Sequence, residues 1–158
     1  MRRFDKEIIN RHEIDEIIHA CQVCHVAFAV DNEPYVVPLS FGYDNEAIYL
    51  HTAHSGKKIV CLEANNKVCF ELEHNVQLQT DQTSVCKCTI LFESIIGYGT
   101  VSEVTDPVEK ERGLRLIVMH YLGENRELKS LAHANVRVWR IAIDSISGKR
   151  SLPPEREL

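Results

Sequence analysis

The segment His51-Thr52-Ala53-His54-Ser55-Gly56-Lys57-Lys58 is the strongest local chemical signal in the chain. A strand-like run ends here and a helical pattern begins, at a stretch that carries two hydroxyls (Thr52, Ser55), a glycine and two lysines. Backbone N–H groups at a helix N-terminus attract anions, a glycine permits close approach, and lysines add compact positive charge. In that pattern the segment is a phosphate cradle. It is not a Walker loop, because the Gly-x-x-x-x-Gly spacing is absent. The same residues also describe a solvated helix start with two surface lysines, and the residue types alone leave both readings open. His51 is the one candidate catalytic group: an imidazole can orient a ligand or move a proton near neutral pH. A strand histidine with a purely structural role is the competing reading.

Other chemistries find less support. The chain has no Gly-x-Ser-x-Gly, no paired-carboxylate pattern and no His-x-x-x-His or His-Glu-x-x-His. Six cysteines form a C-x-x-C (Cys21, Cys24), a C-x-C (Cys86, Cys88) and two single positions, Cys61 and Cys69. Two cysteine pairs suggest zinc, but the second lies in a strand-like run without the turn of a zinc knuckle. Cys61 and Cys69 sit among apolar residues that suit small buried thiols. No metal site is therefore expected.

A formal charge of −5 argues against a general nucleic-acid binder. No apolar run approaches the roughly 20 residues that span a bilayer, and the two arginines after Met1 are not followed by a signal-peptide core. A cytoplasmic protein with neither nucleic-acid nor membrane partner is expected. The 158 residues fit one domain, with residues 1–21 as an N-terminal helix arm and 150–158 as a mobile tail.

The elements that must position the cradle follow from periodicity. Asn10 with Glu13 makes a capping-box-like start to a helix over about residues 11–20, with Ile14, Ile17, Ile18 and Cys21 at helical spacing. Strands are expected at 23–30, at 35–43 with Pro38 marking an edge, bulge or opening, and at 47–52. A short helix over 55–64 and a strand over 68–72 follow, and the polar stretch 74–84 reads as a loop. A long extended run, Thr89 to Val104, carries Gly97 and Gly99. Asp106-Pro107 opens a third helix that ends at Gly123, and 136–146 alternates as the last strand, with Trp139 in core or interface. Six strands, three helices and short connections make a mainly β protein: one closed or nearly closed antiparallel barrel with peripheral α-helices.

The succession Glu33-Pro34-Tyr35-Val36-Val37-Pro38-Leu39-Ser40-Phe41-Gly42-Tyr43, Ile48-Tyr49-Leu50-His51-Thr52-Ala53 and Gly56-Lys57-Lys58 resembles the pyridoxamine-5′-phosphate-oxidase-like flavin-binding split barrels, and within them the 5-nitroimidazole-resistance branch. Further matches are Lys67-Val68-Cys69-Phe70-Glu71, Glu93-Ser94-Ile95-Ile96-Gly97-Tyr98-Gly99, Met119-His120-Tyr121 and Ile146-Ser147-Gly148-Lys149, in order over nearly the whole chain. The resemblance implies a six-stranded antiparallel split barrel that forms a homodimer with FMN, or alternatively FAD, at the interface. It implies that Val37, Pro38, Leu39 and Ser40 lie along the flavin ring. His51, Thr52, Ala53, Gly56, Lys57 and Lys58 would hold the phosphate end, and Ser94 would lie near the cofactor. The chain ends in Gly148-Lys149-Arg150-Ser151-Leu152 and lacks the arginine and histidine signature for a pyridoxal phosphate substrate. The implied activity is instead flavin-dependent reduction of nitroaromatic compounds of the 5-nitroimidazole type, with a small-molecule electron acceptor and NAD(P)H or another donor. The other implied role is a flavin-binding protein without turnover, serving storage, sensing or haem handling.

Overall fold

A computed structural model describes residues 4–123 and 135–151. A 3-10 turn, Phe4–Lys6, leads into β1 (Glu7–Ile8) and α1 (Arg11–Ala20). Then come β2 (Cys24–Val30), β3 (Glu33–Leu39), β4 (Phe41–Tyr43), β5 (Ala47–Thr52), α2 (Lys57–Ala64), β6 (Lys67–Gln79), β7 (Thr89–Glu103), α3 (Pro107–Leu122) and β8 (Arg137–Ser151). Every paired strand runs antiparallel, in the spatial order β3-β2-β6-β7-β8-β5-β4, with β1 added on β8.

The two ends of that order are joined by one residue. β3 ends at Leu39, β4 begins at Phe41, and only Ser40 lies between. The first half of this stretch pairs with β2 and the second half with β5. A sheet whose two edges share a continuous backbone must curl until they meet, so the molecule is a barrel split at Ser40. This accounts for eight strands where six were expected: the single run over 35–43 is divided between the two edges, and Glu7–Ile8 adds β1. Pro34 and Pro38 share one parity of edge strand β3, where a missing N–H can face away from the ladder.

The local signals behave as their chemistry requires. Asn10 accepts the His12 and Glu13 amides (2.9 and 3.4 Å), and Asp106 accepts those of Val108 and Glu109 (3.0 and 2.9 Å), with Pro107 opening α3. Asp31 and Asn32 both adopt positive φ, the conformation that a two-residue hairpin turn demands.

Two expectations are corrected. The polar stretch from His74 to Gln79 is strand: after an irregularity at His74/Gln77, β6 continues to pair with Thr89 to Leu91 of β7. Its side chains are mostly exposed, so the ladder extends past the core and leaves no burial pattern in the sequence. β8 likewise runs on to Ser151, because 147–151 pair with β7. Arg150 and Ser151 therefore belong to the barrel, and 152–158 lie outside the described residues.

The barrel interior is filled by Val26, Phe28, Phe41, Leu50, Phe70, Leu72, Ile95, Trp139 and Ile141, among others, and is completed by Ile14, Ile17 and Ile18 of α1 and Ile59, Cys61 and Leu62 of α2. α3 packs outside on β4 and β5, where Ala47 and Tyr49 meet Ile117. Close approach there depends on Gly42: a Cβ would fall 2.5 Å from the Ile117 amide nitrogen. The end of α3 fastens the split. The Tyr121 hydroxyl accepts the Phe41 amide (3.1 Å) and donates to the Gln22 carbonyl (2.7 Å), while His120 Nε2 donates to the Cys21 carbonyl (2.7 Å).

Gly97 faces the ring of Phe70, which occupies the space that its own side chain would take. Gly97→Ala is expected to lower stability by about 1–3 kcal/mol through overpacking. Phe70→Leu in the same background should recover part of the loss. Urea unfolding of the two variants measures both, and a Gly97→Ala midpoint equal to the parent's would contradict this packing.

Candidate functional site

The segment 51–58 links the end of β5 to the start of α2. Along β5, Ile48 and Leu50 join the barrel core, and Ala47 and Tyr49 join the cluster under α3. By the same alternation Thr52 points inward and His51 outward. Thr52 is buried, and its hydroxyl donates to the Ala53 carbonyl and accepts Trp139 Nε1–H, both at 2.9 Å. Thr52 therefore anchors the strand end and has little capacity left for a ligand. His51 is half-buried, and its Nδ1 is buried without a hydrogen-bond partner. A buried polar atom left unpaired is costly and needs an explanation. His54 Nε2 sits 2.8 Å from Asn135 Oδ1.

Gly56 caps α2 with φ of 123°, a conformation that L side chains rarely adopt, and no side chain caps this helix. Nothing crowds Gly56, so the glycine is required by backbone conformation and leaves open space over the helix start. The two lysines differ. Lys57 bonds Glu33 at 2.7 Å and lies 4.9 Å from the centre of the Tyr35 ring, so it ties α2 to β3. Its bond to Glu33 raises the ammonium pKa and lowers that of the carboxyl. Among the described residues Lys58 has no such partner. The nearby arginine, Arg137, is committed to Glu63 (2.7 Å) and to both oxygens of Glu103 (2.8 and 2.6 Å). Lys58 is the cation at this segment that an arriving anion could claim without displacing a protein carboxylate.

The remaining expected residues divide. On β3, Val37 and Leu39 pack against the core, whereas Pro38 and Ser40 are exposed. Ser94 lies on β7 opposite Glu73 and Lys149, while His51 pairs with Val138 near the start of β8. Lys149 lies eleven positions beyond Val138, or roughly 35 Å along the strand at about 3.3 Å per residue. One chain therefore does not bring Ser94 to the 51–58 segment through its ladder.

The outward face of the sheet holds a pair that sequence reasoning missed. Pro38, His25, Glu71 and Ile96 form one row of ladder neighbours, and His25 Nδ1 lies 3.2 Å from Glu71 Oε2. Burial, then the neighbouring Glu73, push the Glu71 carboxyl pKa up. The next row reads Val36, Ala27, Cys69, Tyr98, with Val36 and Tyr98 60% and 57% exposed. Neither the pair nor the row could be found without the β2–β6 register, since the partners are 46 residues apart.

The cysteines divide as well. Cys21, Cys24 and Cys61 are buried, Cys69 is half-buried and Cys86 is exposed. Burial pushes the Cys21 thiol up to about 12 and raises that of Cys24 further. Among the described residues no three His, Cys, Asp or Glu side chains gather as a metal site, and no helix is long and apolar enough to cross a membrane.

Comparison with known proteins places this geometry among relatives. The family model "pyridoxamine 5′-phosphate oxidase" matches residues 10–150. A solved structure of a candidate 5-nitroimidazole antibiotic resistance protein from Bacteroides thetaiotaomicron is similar at 32% identity and a TM-score of 0.79, over 91% of this chain and 86% of that one. A flavocytochrome from Azotobacter vinelandii (20% identity, TM-score 0.80, 98% and 73% of the two chains) has the same fold. So does an FAD and heme binding protein from Mycobacterium smegmatis (18% identity, TM-score 0.80, 94% and 74%). No curated protein matches the chain.

The Thr52–Trp139 bond is a checkable part of the site's support. Trp139→Phe should cost about 1–2 kcal/mol, the usual range for removing one partner of a buried hydrogen bond. Adding Thr52→Val should then cost less than it does alone. Strict additivity in a double-mutant cycle would show that the bond does not hold the strand end.

Proposed function

The chain belongs to the pyridoxamine 5′-phosphate oxidase family, and on that footing we propose that it is a flavin-binding protein that reduces nitroaromatic compounds of the 5-nitroimidazole type. The observation that carries the proposal is the start of α2: an uncapped helix N-terminus behind Gly56, with Lys58 beside it unpaired among the described residues. That donor set suits a phosphate monoester, which carries up to two negative charges and accepts N–H bonds. His51 on the adjoining strand end has an unpartnered Nδ1, but that atom is buried and faces no open space for a ligand.

When reduced, a bound flavin supplies hydride at N5 of its ring. The chain's own residues would do the rest. Gly56 and the first amides of α2 orient the phosphate, Lys58 neutralises it, and Lys57 holds α2 to β3 through Glu33. The exposed edge at Pro38 and Ser40 offers backbone to the ring. FMN is favoured over FAD, because Arg137 and Lys57, the nearby cations that could meet a second phosphate, are already paired.

A homodimer belongs to the same proposal. The outward face carries Val36, Ile96 and Tyr98 exposed around the small residues Ala27 and Cys69, a contiguous apolar surface of the kind that marks an interface. With a second copy on this face, residues of two chains can line one cofactor. His51 and Ser94 lie far apart along the ladder, and a second chain would offer a way to bring both to one flavin.

Binding of FMN and riboflavin separates phosphate recognition from ring recognition. The parent should hold FMN more tightly than riboflavin. Lys58→Ala should weaken FMN by on the order of ten- to a hundredfold and leave riboflavin almost unchanged. Equal affinity for both ligands would remove the cradle. Tyr98→Asp should convert a dimer into a flavin-poor monomer, as read by light scattering. Anaerobic reoxidation of the reduced flavin by 2-methyl-5-nitroimidazole tests the activity, and bound flavin that passes no electrons would identify a non-catalytic binding protein instead.

A further inference from the structure

His25 is the second residue of β2 and lies on its outward face, next to Pro38 of β3 and Glu71 of β6. Its Nδ1 is hydrogen-bonded to Glu71, while its Nε2 has no partner among the described residues. His25 and Pro38 line one cleft of 440 Å³ with Gln22, Glu73 and His74. A carboxylate on one ring nitrogen fixes the imidazole's orientation and leaves the other nitrogen free to exchange a proton at the cleft. No sequence motif marks this pair, and the proposed phosphate site leaves it unused.

We propose that His25, oriented by Glu71, is the proton donor to the substrate; this assignment rests on the flavin-dependent reading given above. Reduction of a nitro group to a nitroso group consumes one hydride and one proton and releases water: R–NO2 + H⁻ + H⁺ → R–N=O + H2O. A bound reduced flavin would supply the hydride. The proton comes from Nε2 of the His25 imidazolium, with cleavage of one N–O bond, and the neutral ring keeps its Nδ1–H on the Glu71 carboxylate. His51 is the less suited donor, because its Nδ1 has no carboxylate to orient the ring.

The titratable groups that share this environment are Glu73 and His74 on β6, Cys69 beside Glu71, and Cys21 and Cys24 at the junction of α1 and β2. On the far side, Glu93 of β7 adds negative charge and Lys149 of β8 pairs with Ser94. Burial raises the thiols, so the carboxylates are the charged neighbours that His25 meets on this face.

His25→Gln and Glu71→Gln test the assignment in the full-length, flavin-loaded protein. Oxidation of the reduced flavin by 2-methyl-5-nitroimidazole is followed against pH. In the parent the rate should fall as pH rises. His25→Gln should slow it by about 10²-fold or more and abolish that limb, while Glu71→Gln should move the limb to lower pH. A second readout needs no turnover: the His25 ring resonances in the NMR spectrum should shift when oxidised FMN is added, and those of exposed His12 should not. A His25→Gln protein that binds FMN and keeps the parental rate and pH profile overturns the assignment alone, as do His25 resonances unmoved by FMN. A protein that takes up no flavin overturns the reading beneath it, and this assignment with it.

Discussion

The structure depends on the continuity of the backbone through Ser40. The strands on either side of this residue stand at opposite ends of the sheet order, yet the chain passes from one to the other in a single step. No flat sheet allows that, so the sheet curls and its two edges meet. The meeting leaves strand-edge groups to satisfy, and the Phe41 amide finds its partner in the Tyr121 hydroxyl. Tyr121 can reach it because α3 lies close on β4, and α3 lies close because residue 42 has no side chain. The exposed edge at Pro38 and Ser40 follows from the same split.

Charge around the β5–α2 junction sorts residues of one type into different roles. Lys57 and Lys58 are adjacent, yet Glu33 and Tyr35 claim the first and leave the second free. Arg137 joins α2 to β7 through two carboxylates, and Thr52 spends its hydroxyl on Trp139 and Ala53. Most of the polar groups near the junction therefore hold the framework. What remains for a ligand among the described residues is a short set: the amides behind Gly56, and Lys58. A rigid frame with a few uncommitted donors is the arrangement that binds a small anion at low reorganisation cost.

Much of the fold was legible because its signals are local. The Asn10 and Asp106 caps, the helix end at Gly123 and the alternation of Val136 to Ile146 each need only a few neighbouring residues. The 51–58 segment was legible for the same reason, since a strand end, a glycine and a helix start are contiguous. Non-local features were not. The division of one extended run at Ser40 depends on which partner each half finds. The strand from His74 to Gln79 is held by a ladder beyond the core and shows no burial pattern. Thr52 reads as a ligand hydroxyl until Trp139, 87 residues away, is placed against it. His25 and Glu71 look like ordinary surface residues until the register sets them side by side.

The central claim is that this frame holds a flavin. The direct measurement is the visible absorption spectrum of the protein purified in the presence of FMN and freed of excess ligand, followed by mass analysis of whatever is released on unfolding. Flavin bands that stay with the protein, and the release of intact FMN, are the expected result. A colourless protein that retains no flavin after saturation with FMN, and with FAD in parallel, would contradict the claim.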